Sequence, residues 1–166
     1  MLTFIRHAKT EYNNNRKFQG QLDINLSEIG INETLEKSKD FPQDFDLCFC
    51  SPLKRTKQTA EILVPYLKLN FDDRLKERNL GDWQGTEITD EKLEQLGGNY
   101  VPPNGEKVSE MDKRVSEFLN MVNEKYKHKN ILVVTHSGVI HSVGRILSQE
   151  RDSLEHLELI KFDMDS

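Results

Sequence analysis

The sequence predicts a three-layer α/β/α sandwich with a mostly parallel central sheet. Short apolar segments alternate with longer segments in which apolar residues recur every three or four positions, the order typical of strands that alternate with helices. The segment NILVVTH (130–136) is almost wholly apolar, as expected of a parallel strand with both faces covered. The 166 residues contain no repeat or linker, so we expect one domain over residues 1–166.

The first half of the chain is expected to contribute three strands and two helices. In order, they are the strand LTFI (2–5), the helix LSEIGINETLEKSK (26–39), the strand DLCFC (46–50), the helix SPLKRTKQTAEILVPYL (51–67) and the strand LNFD (69–72). The strands are short and apolar, whereas the two longer segments show helical spacing. Ser27 is the expected N-cap of the first helix. Ser51 can cap the second helix, with Pro52 at its first position.

The second half is expected to contribute three helices and two strands. In order, they are the helix TDEKLEQLG (89–97), a helix over 108–126, the strand NILVVTH (130–136), the helix SGVIHSVGRIL (137–147) and the strand LELIKF (157–162). Gly97 and Gly98 are expected to end the first of these helices. The second is the clearest amphipathic segment, because its apolar residues lie three or four positions apart. Those residues are Val108, Met111, Val115, Phe118, Val122 and Tyr126.

The composition excludes some broad classes of function. The chain has 36% hydrophobic and 31% charged residues and a formal net charge of −5, so it lacks the basic face that a nucleic-acid binder requires. No apolar run approaches the roughly 20 residues of a membrane span, and the N-terminus shows no signal-peptide pattern. We therefore expect a cytoplasmic protein with neither nucleic acid nor membrane as a partner.

The cysteines Cys48 and Cys50 lie in the strand DLCFC. Two residues apart on a strand, they point to the same face, and so short a loop closes a disulfide poorly. Without nearby histidine or cysteine partners they also fall short of a structural zinc site. We expect packed free thiols.

Three of the expected strands lead directly to residues that suit a reaction site. LTFI is followed by Arg6 and His7, and ILVVT is followed by His136. DLCFC leads to Arg55, on the first turn of the next helix. Since ligands of open α/β sheets bind beyond the carboxyl ends of the strands, we expect these four side chains to meet at one edge of the sheet.

These residue types suit phosphoryl transfer. A guanidinium group pairs with a phosphate dianion and stays charged at any working pH, and the N–H groups of a helix N-terminus favour the same anion. An imidazole is largely neutral near pH 7 and can attack phosphorus without a separate base. Phosphoryl transfer needs mainly in-line positioning and stabilisation of the equatorial oxygens. One histidine would attack, while the other and the two arginines would hold the oxygens.

A proton donor for the leaving group is expected in the glycine-punctuated segment LKERNLGDWQG (75–85). A carboxyl group partly shielded from water can be held protonated and donate to a departing alkoxide. Glu77 and Asp82 both fit this role, and residue chemistry alone does not choose between them.

Six segments resemble, in order, the motifs of the histidine phosphatase (phosphoglycerate mutase-like) superfamily. RHAKTEYN (6–13) resembles the R-H-G-x-T-x-x-N signature of the family, and FQGQLDINLSEIG (18–30) is similar to its next segment. The remaining matches are CSPLKRTKQTAEIL (50–63), LKERNLGDWQG (75–85), PPNGE (102–106) and VVTHSGVI (133–140). The matches span almost the whole chain, and the pattern is closest to the α-ribazole phosphatase and broad-specificity branches.

The resemblance implies a role for each matching residue. His7 would be the nucleophile that forms phosphohistidine, and Glu77 would be the proton donor. The residues that would bind the phosphoryl oxygens are Arg6, Arg55 and His136. Those implied at the phosphate or its approach are Asn13, Thr10, Gln19, Gly20 and the amide of Ser137. The family needs no metal or organic cofactor.

Two positions depart from the family pattern. Ala8 stands where the family most often has glycine, and alanine is unstrained there only if its φ angle is negative. Gln84 replaces the usual glutamate after the tryptophan, and we assign it no chemical role. Neither change touches the residues implied in catalysis.

The expected function is hydrolysis of a small phosphorylated metabolite through a phosphohistidine intermediate. Alternatives within the family are a phosphoglycerate mutase, although mutases are longer, and a protein phosphohistidine phosphatase. A metal-dependent hydrolase would want carboxylates rather than arginines beside His7 and His136. A catalytically dead binding module would usually lack one of the implied site residues. The residues interpreted as ordinary surface, loop or packing residues are Arg78, Trp83, His128, His141 and His156.

Overall fold

Five strands form one sheet in the computed structural model, which describes residues 1–165. They are β1 (Leu2–Arg6), β2 (Leu47–Cys50), β3 (Leu69–Phe71), β4 (Ile131–Thr135) and β5 (Leu159–Phe162). Their order in the sheet is β3-β2-β4-β1-β5. β5 pairs antiparallel with β1, whereas the other neighbouring strands are parallel. The mostly parallel sheet is therefore confirmed.

The helices lie close to where the sequence predicts them. They are α1 (Glu11–Asn14), α2 (Glu28–Ser38), α3 (Lys54–Leu63), α4 (Asp90–Gly97), α5 (Val108–Tyr126) and α6 (Ser137–Leu147). Two 3₁₀ turns, Asp73–Leu75 and Gly81–Trp83, follow β3. The single turn α1 was not predicted, and a capping box in which Thr10 and Asn13 bond each other's backbone N–H groups forms it.

Two apolar clusters, one on each face of the sheet, confirm the three layers. Successive residues of a strand point to opposite faces, so Phe4 packs with α5 and α6 while Ile5 packs against α3. β4 divides in the same way, with Val133 in the first cluster and Leu132 in the second. The sheet is covered on both faces, as its almost wholly apolar strands predict.

The cysteines are buried free thiols, as predicted. Both lie in the cluster beneath α3. Burial raises the pKa of the Cys48 thiol to about 12, so it stays protonated. These side chains act as core residues.

The predicted start of α3 is wrong. The helix begins at Lys54 with Leu53 at the N-cap, and no side chain caps it. The Ser51 hydroxyl lies instead 2.8 Å from the imidazole of His136, to which it is hydrogen-bonded. By contrast, Ser27 caps α2 as predicted, since its hydroxyl accepts from the N–H of Gly30.

Within residues 1–165, no helix has the length and apolar character needed to cross a bilayer.

Candidate active site

The carboxyl ends of β1, β4 and β2 meet at one edge of the sheet. β1 and β4 are paired in parallel so that Arg6 lies opposite Thr135, and the residues that follow them, His7 and His136, are therefore neighbours. Their ring centroids are 5.2 Å apart and both rings are buried. Chain topology thus brings together side chains that are more than a hundred residues apart in sequence.

The His7 imidazole is held in one tautomer by the backbone carbonyl of the next residue. Its Nδ1 lies 2.6 Å from the carbonyl oxygen of Ala8, and because a carbonyl can only accept, Nδ1 carries the proton. Nε2 therefore keeps its lone pair. Burial and, to a lesser degree, the Arg55 cation lower the pKa of His7 well below its usual value. The ring is neutral at physiological pH.

Two arginines, the buried Arg55 and the partly buried Arg6, lie at the same edge without an anionic partner in the described residues. Arg55 donates from its two terminal nitrogens to the carbonyl oxygens of Leu22 and Gly20, each at 2.6 Å. Arg6 donates to the carbonyl of Leu154 at 2.8 Å. Neither guanidinium makes an ion pair within residues 1–165. Burial lowers the pKa of Arg55 to about 10, so it remains charged near neutrality.

Three buried nitrogens at this edge have no hydrogen-bond partner in the described chain. They are Nε of Arg6, Nε of Arg55 and Nδ1 of His136. Buried polar atoms are almost always paired, because an unpaired one costs free energy. Two arginine N–H groups and an imidazole nitrogen left over at one place are the donor set that a bound oxyanion would satisfy.

Glu77 is held by backbone amides at the same edge. One carboxylate oxygen accepts from the N–H of Arg78 at 2.7 Å, and the other accepts from the N–H of Gly138 at 3.1 Å. A Cβ atom on residue 138 would overlap the Glu77 carboxylate. Glycine at 138 therefore lets Glu77 approach the N-terminus of α6.

The cavity at this edge has a volume of about 260 Å³. The sequence-predicted residues that line it are Arg6, His7, Asn13, Gln19, Gly20, Arg55, Glu77 and Ser137. Lys17, Arg78 and His141 add polar groups, and Phe18, Leu80, Ile88 and Leu96 add apolar surface. One cavity is thus lined by both cationic and apolar side chains.

Thr10, His136 and Asp82 do not line this cavity. Thr10 is fully buried, and its hydroxyl lies 2.7 Å from the side-chain oxygen of Gln19, to which it donates, and 3.0 Å from that of Asn13, so it supports residues that line the cavity. His136 is also fully buried. The Asp82 carboxylate accepts from the side-chain amide of Asn104, 3.1 Å away.

A larger cavity, about 430 Å³, lies at the opposite end of the sheet. Leu2 and Ile131 line it at the starts of β1 and β4, so a five-residue strand, roughly 16 Å, separates it from His7. Among residues 1–165, no three His, Cys, Asp or Glu side chains form a group that could hold a metal ion.

Three residues that the sequence analysis interprets as ordinary lie at the site. The imidazole of His156 packs against His7 with ring centroids 5.5 Å apart. His141 lines the cavity together with Ser137. Both residues lie on α6, four positions apart, and therefore share one face of the helix. Arg78 is buried rather than solvated, and it donates to the carbonyls of Glu106 and Tyr100. Only the spacing of His141 from Ser137 was visible in the sequence.

The two departures from the family pattern have clear structural settings. Ala8 is buried and lies outside the left-handed region, so alanine is unstrained there. The Gln84 side-chain oxygen accepts from the N–H groups of Gln21 at 2.8 Å and Leu80 at 3.2 Å. Gln84 thereby ties together two loops that line the cavity.

Known proteins of the same kind confirm the resemblance. The model of the histidine phosphatase superfamily (branch 1) matches residues 2–163. The phosphatase PhoE of Bacillus subtilis is 36% identical over 162 residues, 94% of this chain and 81% of the relative. Phosphoglycerate mutase-like protein 4 of Arabidopsis thaliana is 32% identical over 161 residues, 86% of this chain and 68% of the relative.

A solved structure gives the same result at the level of the fold. The α-ribazole phosphatase of Shigella flexneri superimposes with a TM-score of 0.75 at 27% identity, covering 88% of this chain and 79% of that one. These likenesses support phosphatase-type or mutase-type activity. The chain belongs to branch 1 of the histidine phosphatase superfamily.

Proposed function

We propose that this protein is a phosphatase that hydrolyses small phosphoesters through a covalent phosphohistidine on His7. One observation carries the proposal: a neutral imidazole with a free Nε2 lies beside the buried Arg55 and the partly buried Arg6, neither of which makes an ion pair within residues 1–165. A lone pair can attack only an electrophile that approaches it, and the unpaired cations would bind a phosphoryl dianion there. Nucleophile and anion site are thus adjacent.

The phosphoryl oxygens would take the three unpaired buried nitrogens as donors, and Nδ1 of His136, which does not line the cavity, would have to become accessible to it when the anion binds. Arg6 and Arg55 supply two of them. The third requires His136 to carry its proton on Nδ1. The Ser51 hydroxyl, 2.8 Å from Nε2 of His136, would donate to that nitrogen in this tautomer. The N–H groups at the start of α6 add a favourable dipole.

Glu77 is the residue that would protonate the leaving oxygen. It lines the same cavity as the two arginines, whereas Asp82 lies outside and accepts from Asn104. As Nε2 of His7 forms its bond to phosphorus, the phosphorus–oxygen bond breaks and the Glu77 proton passes to the alkoxide. Water then attacks phosphorus, returns a proton to Glu77 and releases phosphate and neutral His7. Both steps need only positioning and fixed charge.

The cavity favours a small monoester as the substrate. Its volume of about 260 Å³ holds a phosphoryl group and a compact leaving group. Arg6 and Arg55 supply the positive charge that stabilises the transferring group, so the proposed reaction needs no added metal or organic cofactor, and turnover should persist in EDTA.

The test is a screen of phosphorylated metabolites with the wild type and with His7→Ala. We expect phosphate release by the wild type, a phosphoenzyme that survives alkali and is lost in acid, and neither in His7→Ala. His7→Ala with full activity would overturn the proposal. Transfer to an acceptor alcohol would indicate the mutase alternative, and release from a phosphohistidine protein alone would indicate the protein phosphatase alternative.

A further inference from the structure

A loop near the C-terminus crosses the end of β1 at the site. We call residues 154–157 the strap. It makes three hydrogen bonds to two consecutive residues: Arg6 donates to the carbonyl of Leu154 at 2.8 Å, and the N–H of Leu157 donates to the carbonyl of Arg6 at 2.9 Å. In the third, Nδ1 of His156 lies 2.8 Å from the carbonyl of His7. The strap therefore holds both Arg6 and His7.

Both ends of the strap are anchored in the core. Leu154 is buried in the cluster packed under α5 and α6, and Leu157 is buried in the cluster under α3. Leu157 adopts a left-handed backbone with φ of 62°, which is costly for a branched residue and persists only where surrounding contacts enforce it. An ion pair between Arg151 and Glu158 also links the flanks of the strap, at 3.0 Å. The strap is a rigid support.

The His156 ring forms one wall around the His7 ring. His136 is a second ring neighbour, with its centroid 5.2 Å from that of His7 against 5.5 Å for His156. Because the His7 carbonyl can only accept, Nδ1 of His156 must carry a proton. Burial and the Arg6 cation lower the pKa of His156 to about 4, so this ring is neutral and does not compete with the arginines for an anion.

We propose that His156 is a positioning residue that holds the His7 nucleophile in its attacking orientation. It would act through two separate contacts: the hydrogen bond to the His7 carbonyl fixes the backbone, and the ring contact limits rotation of the His7 imidazole. Misplacement of a reacting group by about 1 Å can cost up to about 100-fold in rate. This inference rests on the proposed function for its kinetic consequence, whereas the orientation of His7 can be observed without any reaction.

Three substitutions separate the two contacts. His156→Asn keeps a donor at the position of Nδ1 without the ring, His156→Phe keeps the ring without the donor, and His156→Ala removes both. We expect kcat for p-nitrophenyl phosphate to fall by about tenfold in His156→Ala, with KM changed less than twofold. Each of the other variants should recover part of the loss. His128→Ala, on an exposed histidine, is the matched control and should retain wild-type kcat.

The second readout is the ¹⁵N NMR spectrum of the His7 imidazole, assigned by comparison with His7→Ala. We expect a single Nδ1–H tautomer in the wild type and a shifted or exchange-broadened signal in His156→Ala. A His156→Ala protein with wild-type kcat and an unchanged His7 signal would overturn the inference. So would a loss of kcat that parallels a loss of Tm in all three variants. A wild type that hydrolyses no phosphoester, together with a His7 signal that changes in His156→Ala, would refute the proposed function and leave the inference standing.

Discussion

At the scale of single residues, the position of Glu77 depends on the absence of a side chain at Gly138. The carboxylate bonds to the N–H of Gly138, and a Cβ atom there would overlap it. The overlap involves the end of a flexible side chain, so the protein can relieve it by moving Glu77 rather than by unfolding. A substitution at residue 138 is therefore expected to change the geometry of the site more than the stability of the fold.

Gly138→Ala is therefore expected to lower kcat by about tenfold to 100-fold with little change in Tm. Steady-state kinetics and thermal unfolding of the same preparation check this expectation. Gly97→Ala is the matched control, since a Cβ atom there meets nothing within 4 Å. Equal kcat values for the two variants would contradict the proposed role of Glu77 geometry.

Site residues that directly follow a strand can be identified from the sequence more readily than the residues that hold these site residues in place. Arg6, His7 and His136 each lie at or just after a strand end, and parallel pairing fixes their proximity. His156 contacts His7 across 149 positions of sequence, in a loop whose path no local pattern specifies. Thr10 shows the converse, because the resemblance places it at the phosphate approach whereas the structure buries it behind Asn13 and Gln19.

At the scale of secondary-structure elements, α5 holds the segment that carries Glu77. Arg114, on α5, donates to the carbonyls of Arg74 at 2.7 Å, Lys76 at 2.6 Å and Glu77 at 3.1 Å. It also pairs with Glu106 at 2.7 Å, and the side chains of this pair are only 17% and 14% exposed. One guanidinium of α5 thus holds three carbonyls of the 74–77 backbone, and the side-chain amide of Gln21 also donates to the carbonyl of Glu77 at 3.1 Å.

Arg114→Met should destabilise the protein by about 3 kcal/mol, because it leaves Glu106 without its cationic partner and the carbonyls of Arg74 and Lys76 without their donor. It should also lower kcat, since the Glu77 segment loses its support. Urea unfolding and steady-state kinetics measure the two effects. Lys57→Met, which breaks an exposed pair with Glu61, should change stability by less than about 1 kcal/mol.

A double variant, Arg114→Met with Glu106→Leu, separates the two effects. Replacing both charges by apolar groups should recover much of the stability, while the carbonyls of Arg74 and Lys76, just before Glu77, still lack their donor and kcat stays low. Recovery of kcat along with stability would show that Arg114 acts on the fold alone.

Element boundaries were predictable where local hydrogen bonds decide them. Ser27 caps α2 with its own hydroxyl, a contact between neighbours in sequence. Ser51 is also a serine just before a predicted helix and is followed by a proline, yet its hydroxyl is hydrogen-bonded to His136, 85 positions away. A serine can serve a helix N-terminus or a distant imidazole, and only tertiary packing decides which.

At the scale of the whole molecule, the sheet separates the apolar core from the candidate active site. Its two faces carry the apolar clusters, while the ionisable side chains of the site, among them His7 and His136, meet at the carboxyl ends of β1 and β4. The alternation of apolar segments predicts this arrangement, because a parallel sheet covered on both faces leaves only its ends for polar side chains. The shape of the cavity wall depends on the loops that carry Phe18, Leu80 and Ile88, whose conformations no periodicity encodes.

Burying several neutral imidazoles makes the stability of the fold depend on pH. Burial lowers the pKa of His7 and His136 well below the usual value, and that of His156 to about 4. Above about pH 6.5 the rings are neutral in both folded and unfolded chains, so this contribution to stability is fully present. Below about pH 6.5 the unfolded chain binds protons that the folded chain does not, and stability is lost. Asp72 and Asp112 do not interfere, because burial is outweighed by hydrogen bonds from Arg74 and from Arg145, which lower the pKa of each carboxyl group, away from this pH range.

We therefore expect the free energy of unfolding to fall as the pH is lowered from about 7 to about 5. Each ring that stays neutral contributes a slope approaching about 1.4 kcal/mol per pH unit. Urea unfolding at half-unit pH intervals measures the slope. His7→Asn should make it shallower, because one buried ring is removed, whereas His128→Ala should leave it unchanged, since His128 is exposed. A flat profile over this range, or the same slope in His7→Asn as in the wild type, would show that the imidazoles at the ends of β1 and β4 are not held neutral by the fold.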